Sequence, residues 1–250
     1  MLSFIRDTNF LISQDYILSL GKLIQNYKLI KKRERDKKKG GSNKNITKTY
    51  LEVGAFDGIK HSNTLVLQEK LGWSGILVEP INSYYQLLKK NRPNNICINS
   101  LLHSQEEKKF HILKQGPESR VIVETKFNKL KRHIKNFLKR NNMEALKSTT
   151  VNQLCSKYQI TELDFISLDV EGMEYDVLQG INFDRIDVTA ILIECRHHNF
   201  MNITERMYAS NFVLAEAITR FNKLDNPNWD GTHQDYLFLK KNFYLFNLNS

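Results

Sequence analysis

Residues 50–58 read Tyr-Leu-Glu-Val-Gly-Ala-Phe-Asp-Gly, and they predict a buried strand that runs into a tight glycine turn. Gly54 and Gly58 bracket the turn, where a residue without a Cβ accepts a positive φ angle and the close approach of a ligand. Residues 62–72 follow with a helical pattern that ends at Gly72. A strand, a glycine turn and a helix form the usual first unit of a nucleotide-binding α/β sheet.

The acidic residue of this stretch distinguishes between nucleotide ligands. A dinucleotide fold carries G-x-G-x-x-G before a helix whose N-terminus holds a pyrophosphate. Here the pattern is E-x-G-x-x-x-G, with Glu52 at the end of the strand. A carboxylate there repels a pyrophosphate but suits an ammonium or a ribose hydroxyl, and S-adenosylmethionine (SAM) carries both and no phosphate. The pattern therefore favours SAM, while a glycine turn with a purely structural role stays open.

A second acidic residue, Glu79, ends the next short apolar strand, 27 residues after Glu52. An acidic residue about 20 residues beyond the glycine turn, at the end of the second strand, is where a ribose diol is held. A single carboxylate of this kind is commonly a solvated residue at a strand end. Two of them at this spacing favour a ligand site.

Residues 163–174 read LDFISLDVEGME and carry two more carboxylates at a strand end. The apolar strand delivers Asp169 and Glu171 at its carboxyl end, and Gly172 then turns the chain into a helix. In open parallel sheets, ligands bind outside the carboxyl ends of the strands near the switch point. The two carboxylates can act there as a base, as metal ligands or as binders of the SAM amino group. A carboxylate near a helix N-terminus also favours the helix dipole, so one of the two can be structural.

A further apolar strand, residues 189–193, ends in Glu194 and is followed closely by His197. Parallel pairing would bring Glu194 and His197 to strand ends beside Asp169. A histidine next to a carboxylate suits general-base chemistry, although a lone histidine is more often a surface or core residue. Divalent cations such as Mg²⁺ favour oxygen ligands, so Asp169 and Glu194 also form a candidate metal site.

The chain of 250 residues carries a formal net charge of +10, and two segments account for the excess. Residues 31–39 hold seven basic and two acidic residues, and residues 126–147 hold eight basic residues and one acidic residue. The remainder of the chain is therefore close to neutral. Polyanions, anionic membrane surfaces and acidic substrates are candidate partners of such segments. Solvated helix faces are the simpler explanation.

The length predicts one large α/β domain with a short extension. We expect residues 1–47 to form an N-terminal helical extension with a basic linker, and residues 48–250 to form the main domain. A helix over residues 13–30 would pack on that domain, and the basic run after it would be a flexible linker. The face of this helix is predicted to consist of Tyr16, Leu20, Leu23, Ile24 and Tyr27.

The sequence also predicts where the protein resides. No uninterrupted apolar stretch approaches the length of a transmembrane helix, and no secretory signal pattern is visible. The cysteines, Cys97, Cys155 and Cys195, include no C-x-x-C pair, which argues against a disulfide framework and a zinc site. A cytoplasmic protein is therefore expected.

The remaining elements follow from periodicity and turn residues. We predict a helix over residues 84–90, strands over 95–101 and 108–114, a basic amphipathic helix over 127–140, and a closing antiparallel pair of strands over 211–219 and 233–240.

At this point a family resemblance is visible. The motifs YLEVGAFDG, SNT and GWSGILVEP, followed by TTVNQLC, DFISLDVEGMEYDVLQG and QDYLFL, resemble those of the FkbM-type SAM-dependent methyltransferases. The resemblance runs from about Tyr50 to Leu239. It implies a Rossmann-like class I methyltransferase fold, in which a mostly parallel seven-stranded sheet is flanked by helices.

The resemblance also implies roles for individual residues. The SAM loop would comprise Glu52, Gly54, Asp57 and Gly58, with Glu79 as the ribose ligand. The D-V-E-G motif, with Asp169 and Glu171, would lie beside the methyl group, and Glu171 would contact the cofactor.

The predicted function is therefore SAM-dependent methylation of a hydroxyl oxygen on a small molecule or a sugar. Asp169 is the first candidate for the general base and His197 the second, with a divalent metal as the alternative means of activating the hydroxyl. Two other functions stay open. The basic segments suit a methyltransferase that acts on RNA or another polyanion, and a SAM-binding module without catalysis would have kept the same fold.

Overall fold

The computed structural model describes residues 14–39, 48–107, 109–113, 120–123, 143–218 and 233–248, and the side chains of residues 33–39, 109, 111–113, 120–123 and 143–145 lie outside that description. Eleven strands are described in these ranges: β1 (Thr49–Val53), β2 (Ser74–Val78), β3 (Ile96–Ile98), β4 (Leu101–Leu102), β5 (Lys109–Leu113), β6 (Arg120–Val123), β7 (Met143–Thr149), β8 (Glu162–Leu168), β9 (Asp187–Arg196), β10 (Phe212–Ala217) and β11 (His233–Lys240). The helices are α1 (Gln14–Lys39), α2 (Leu65–Leu71), α3 (Asn82–Asn91), α4 (Val151–Lys157), α5 (Glu174–Gln179), α6 (Phe200–Ala209) and α7 (Lys241–Leu248), with a 3-10 turn at His197–Asn199.

The main sheet has seven strands in the order β10-β11-β9-β8-β1-β2-β3. All its pairings are parallel except those of β11, which runs antiparallel to both β9 and β10. From β1 the chain builds outward through β2 and β3 on one side, and later through β8 and β9 on the other. The order therefore reverses between β1 and β8, and the carboxyl ends of these two strands flank the switch point where such sheets bind ligands. The predicted sheet and the closing antiparallel pair are confirmed.

The central strands are near-continuous apolar runs because helices cover both faces of a parallel sheet. Ile76, Leu77 and Val78 of β2 are fully buried, and so are Phe165 and Ile166 of β8. Charged side chains are accordingly found at the strand ends, where the chain leaves the core.

Helix α1 packs on the sheet domain through Ile17, Leu20 and Ile24, which share an apolar core with Trp73 of the first crossover. Most of the predicted face is confirmed, since Leu20 and Ile24 are buried and Tyr16 and Tyr27 pack against the same core. Leu23 is exposed, and Ile17, which was not predicted, is buried. The predicted flexible linker was also wrong in part, because the helix continues through the basic run to Lys39. The boundary between an extension (1–47) and a domain (48–250) stays a prediction.

A second sheet, in the order β4-β7-β5-β6, packs against the loop that follows β2 through Leu101, Phe110 and Ile81. The single strand predicted over residues 95–101 is broken, and its end belongs to this second sheet. The break lies at Asn99, whose side-chain amide donates to the carbonyl oxygens of Glu79 and Pro80 at 2.9 and 2.8 Å.

The predicted amphipathic helix over 127–140 lies outside the described residues. Among the residues that the structure describes, no helix is both long and apolar enough to cross a membrane.

Candidate active site

The loop after β1 is held against both neighbouring strands. The backbone amides of Gly54 and Ala55 donate to the carbonyl oxygen of Val78 at 3.0 and 3.1 Å, and the amide of Asp169 donates to the carbonyl of Val53 at 3.1 Å. Gly54 has a φ of +84°, and a Cβ there would overlap the backbone carbonyl of Asp169. The sequence predicted close approach of a ligand at this glycine, and the structure adds close approach of the β8 backbone.

Glu52 is buried, and its carboxylate accepts three hydrogen bonds from one short segment. The donors are the Ser62 hydroxyl (2.9 Å), the Asn63 backbone amide (2.7 Å) and the Thr64 hydroxyl (2.6 Å). Burial raises the pKa of Glu52, and these hydrogen bonds act in the opposite direction. The carboxylate therefore fixes the loop that leads into α2, and its predicted role as a direct SAM ligand stays a prediction.

Glu79 and Asp57 also hold loop backbone at this edge of the sheet. The Glu79 carboxylate accepts from the amides of Phe56 (2.9 Å) and Ile81 (2.8 Å), which ties the loop after β1 to the loop after β2. Asp57 accepts from the amides of Ile59 and Lys60 at 2.9 and 2.8 Å. Glu79 thus lies at the end of β2, and its predicted role as the ribose ligand stays a prediction.

Three carboxylates converge at the carboxyl ends of β8 and β9. Asp169, Glu171 and Glu194 each place an oxygen within 4.8 Å of the others. Burial raises the pKa of Asp169 well above its usual range, and the neighbouring Glu194 carboxylate raises it further. Burial likewise raises the pKa of Glu194 to about 7, although its hydrogen bond with Asp169 counteracts that rise. Near neutral pH the pair therefore shares a proton, as paired carboxyl groups do.

The turn that carries Glu171 is rigid. Glu171 has a φ of +55°, and its carboxylate binds the Arg196 guanidinium at 2.6 Å. Glu174, which is fully buried, accepts from the amides of Gly172 (2.8 Å) and Val170 (3.3 Å). The side-chain amide of Asn199 donates to the Gly172 carbonyl at 3.1 Å. The D-V-E-G motif is thus a braced turn, which is what accurate positioning of Asp169 requires.

A histidine that the sequence did not single out, His233, lies beside this cluster, and the role of His197 as the second candidate base stays a prediction. His197 lies on the 3-10 turn after β9 and is exposed. His233, at the start of β11, has its Nε2 3.4 Å from Glu194 Oε1, and Asp235 is the register partner of Glu194. The sequence signal that could have revealed His233 and Asp235 is the antiparallel direction of β11. This direction brings the first residues of β11 to the edge of the sheet where β9 ends.

The arrangement fits a cationic ligand. Asp169, Glu171 and Glu194 bring three acidic groups together. Arg196 forms an ion pair with Glu171, and His233 forms one with Glu194 when it is protonated. An excess of carboxylates attracts positive charge and repels phosphate. The ammonium and sulfonium groups of SAM match this potential, whereas the pyrophosphate of a dinucleotide does not.

Comparison with known proteins agrees with this geometry. The family model described as the methyltransferase FkbM domain matches residues 52–223. The chain belongs to the FkbM methyltransferase family, whose fold is the class I Rossmann-like fold of SAM-dependent methyltransferases. A search of curated protein sequences gave no match.

Several solved structures resemble the chain at low identity. The methyltransferase FkbM from Methylobacillus flagellatus KT is 10% identical with a TM-score of 0.48, over 89% of this chain and 57% of that protein. The N-terminal domain of human METTL16 in complex with SAH is 11% identical with a TM-score of 0.46, over 96% and 74%. The precorrin-6y C5,15-methyltransferase from Geobacter metallireducens GS-15 is 8% identical with a TM-score of 0.42, over 95% and 94%.

Proposed function

We propose that the protein transfers the methyl group of SAM to a hydroxyl oxygen of an uncharged small molecule or sugar. The observation that carries the proposal is the carboxyl pair of Asp169 and Glu194 beside the switch point of the sheet. A hydroxyl is a poor nucleophile until its proton is removed, and a positioned base typically contributes about 10²–10⁴-fold to the rate.

SAM, when bound, supplies an electrophilic methyl group on a sulfonium. The protein's own part is to align an acceptor oxygen with that group and to take the proton. Alignment alone can lower a barrier by about 7–11 kcal/mol in the best cases. Asp169 lies where β8 ends, and Glu194 can share the proton that Asp169 accepts. We assign Glu79 to the ribose, and Glu52, Gly54, Asp57 and Gly58 to the shape of the SAM loop, with Glu171 beside the cofactor.

The charge at the site favours an acceptor without phosphate groups. A polyanion such as RNA would have to place phosphates near Asp169, Glu171 and Glu194, which repel them. The small-molecule acceptor is therefore the better-supported proposal.

A divalent cation offers a second way to activate the hydroxyl. Asp169, Glu171 and Glu194 supply three oxygen ligands within reach of one ion, and Mg²⁺ prefers such ligands. Bound there, it would lower the pKa of a coordinated hydroxyl, and no separate base would be needed.

Transfer of a labelled methyl group from SAM tests the proposal. The acceptor panel comprises neutral sugars, hydroxylated metabolites, phosphorylated sugars, RNA and protein, each with magnesium or with EDTA. We expect labelling of a neutral hydroxylated acceptor, with turnover that changes little with added salt. Labelling of RNA, with a rate that falls steeply as salt is added, would contradict the proposal. SAM binding with no labelled acceptor would indicate a non-catalytic module.

A further inference from the structure

Arg92 is fully buried and directly follows α3. A guanidinium has five N–H donors, and all five find acceptors. Nε donates to Gln68 Oε1 (2.6 Å), one terminal nitrogen donates to the Gly58 carbonyl (2.9 Å) and Ser62 Oγ (3.1 Å), and the other donates to the Tyr50 hydroxyl (2.7 Å) and Thr64 Oγ1 (3.2 Å). A fully paired buried guanidinium is expected to hold its neighbours in one arrangement.

Two of these acceptors connect Arg92 to Glu52. The hydroxyls of Ser62 and Thr64 accept from Arg92 and donate to the same carboxylate oxygen of Glu52, at 2.9 and 2.6 Å. Each hydroxyl donates its one hydrogen to Glu52 and accepts a hydrogen bond from Arg92. The positive guanidinium and the negative carboxylate therefore fix the direction of the two hydrogen-bond relays, which run from Arg92 to Glu52 through Ser62 and through Thr64. Cation and carboxylate thus form a buried pair that is bridged by two hydroxyl groups.

The same guanidinium holds the other end of the loop. Its bond to the Gly58 carbonyl fixes the last residue of the glycine turn, and its side-chain stem occupies the space beside that glycine. A Cβ at Gly58 would lie 2.7 Å from Arg92 Cγ. Arg92 therefore forms hydrogen bonds with both ends of the segment 58–64, which joins the glycine turn to α2.

We propose that Arg92 is a positioning residue for SAM: it holds the loop 54–64 in its binding shape through Ser62, Thr64 and Glu52. This inference rests on the proposed function, since it assigns a purpose to the loop that the proposal gives to SAM. Loss of a relay leaves buried donors or acceptors without partners, so the loop must rearrange to satisfy them. Arg92 itself touches neither the reacting oxygen nor the carboxyl pair in any contact described here.

The test uses two variants of the full-length chain, Arg92→Lys and Thr64→Val. Lysine keeps the charge but has three donors in place of five. Valine keeps the shape of Thr64 and removes one hydroxyl relay. For both we expect the dissociation constant and the KM for SAM to rise about tenfold or more, the size of effect that an unsatisfied buried polar group produces. Turnover at saturating SAM should change less than about threefold, because Asp169 and Glu194 are untouched.

Arg206→Lys is the matched control. Arg206 also holds a backbone carbonyl, that of Ile181 at 2.8 Å, and lies over the ring of Phe183, away from the loop. It should lower the melting temperature and leave SAM affinity unchanged. Wild-type affinity for SAM in folded Thr64→Val would overturn the inference, whether or not Arg92→Lys folds. Failure of the proposed function looks different, because the wild-type protein itself would then bind no SAM, or would bind SAM without labelling a neutral hydroxylated acceptor.

Discussion

Replacement of Asp169 by asparagine should lower turnover about 100-fold or more and change SAM affinity little. Asparagine preserves the size of the side chain but cannot take up a proton. The variant should fold, because ionisation of a buried carboxyl whose pKa is raised costs stability as pH rises, and asparagine removes that cost. Initial rates with the methylated acceptor, together with calorimetric titration of SAM, measure the two effects separately.

Asp187→Asn is the control for this variant. Asp187 begins β9 at the opposite edge of the sheet and is exposed, so its loss should leave turnover unchanged.

The pH profile adds a second check. Below about pH 7 both carboxyls of the pair hold protons, and above it one of them has lost its proton and can take up the proton of the acceptor hydroxyl. Wild-type turnover should therefore rise as pH passes about 7. Normal turnover in Asp169→Asn would move the base to Glu194, His233 or His197, or show that the reaction needs none.

Substitution of Gly54 by alanine should destabilise the fold by about 3 kcal/mol or more. The new Cβ would overlap the backbone carbonyl of Asp169, and the φ of +84° is unfavourable for any residue with a side chain. The overlap and the backbone strain both act where the ends of β1 and β8 meet. The loop after β1 and the carboxylate of Asp169 would therefore be displaced together. The structure thus gives Gly54 a role in the fold beside the close approach of a ligand that the sequence predicts.

Chemical denaturation of Gly54→Ala and Gly72→Ala measures the free energy of unfolding of each variant. The comparison separates the effect of the overlap with Asp169 from the effect of a positive φ angle. Gly72 caps α2 at a φ of +66° and has no atom within 4 Å of where a Cβ would lie. Its replacement should cost about 1 kcal/mol from the backbone alone. Equal destabilisation of the two variants would show that the close approach of Asp169 contributes nothing.

The sequence was sufficient for the elements that depend on local patterns. The β1 strand, its glycine turn and the Gly72 cap follow from a short apolar run and from glycines placed at positive φ. Asp169 and Glu194 could be placed together because parallel strands end at one edge of the sheet. Periodicity and turn signals are properties of neighbouring residues, so they can be inferred before the fold is known.

The partners of the carboxylates could not be inferred in this way. Glu52 binds the segment 62–64, and Arg92 reaches that same segment from the end of α3, about 30 residues further along the chain. No short spacing encodes such a network, because it depends on how α3 packs on the loop. His233 was missed for a related reason: it approaches Glu194 only through the antiparallel pairing of β11 with β9.

The most direct test of the account is a map of the SAM site by backbone amide NMR of the full-length protein, recorded while SAM is added. The account predicts saturable shifts at the carboxyl edge of the sheet, in Gly54–Gly58, Glu79–Ile81 and Asp169–Gly172. Amides at the opposite edge, such as those of Lys48 and Asp187, should not move. Shifts confined to that opposite edge, or no shift at any SAM concentration, would contradict the claim that the switch point between β1 and β8 holds the methyl donor.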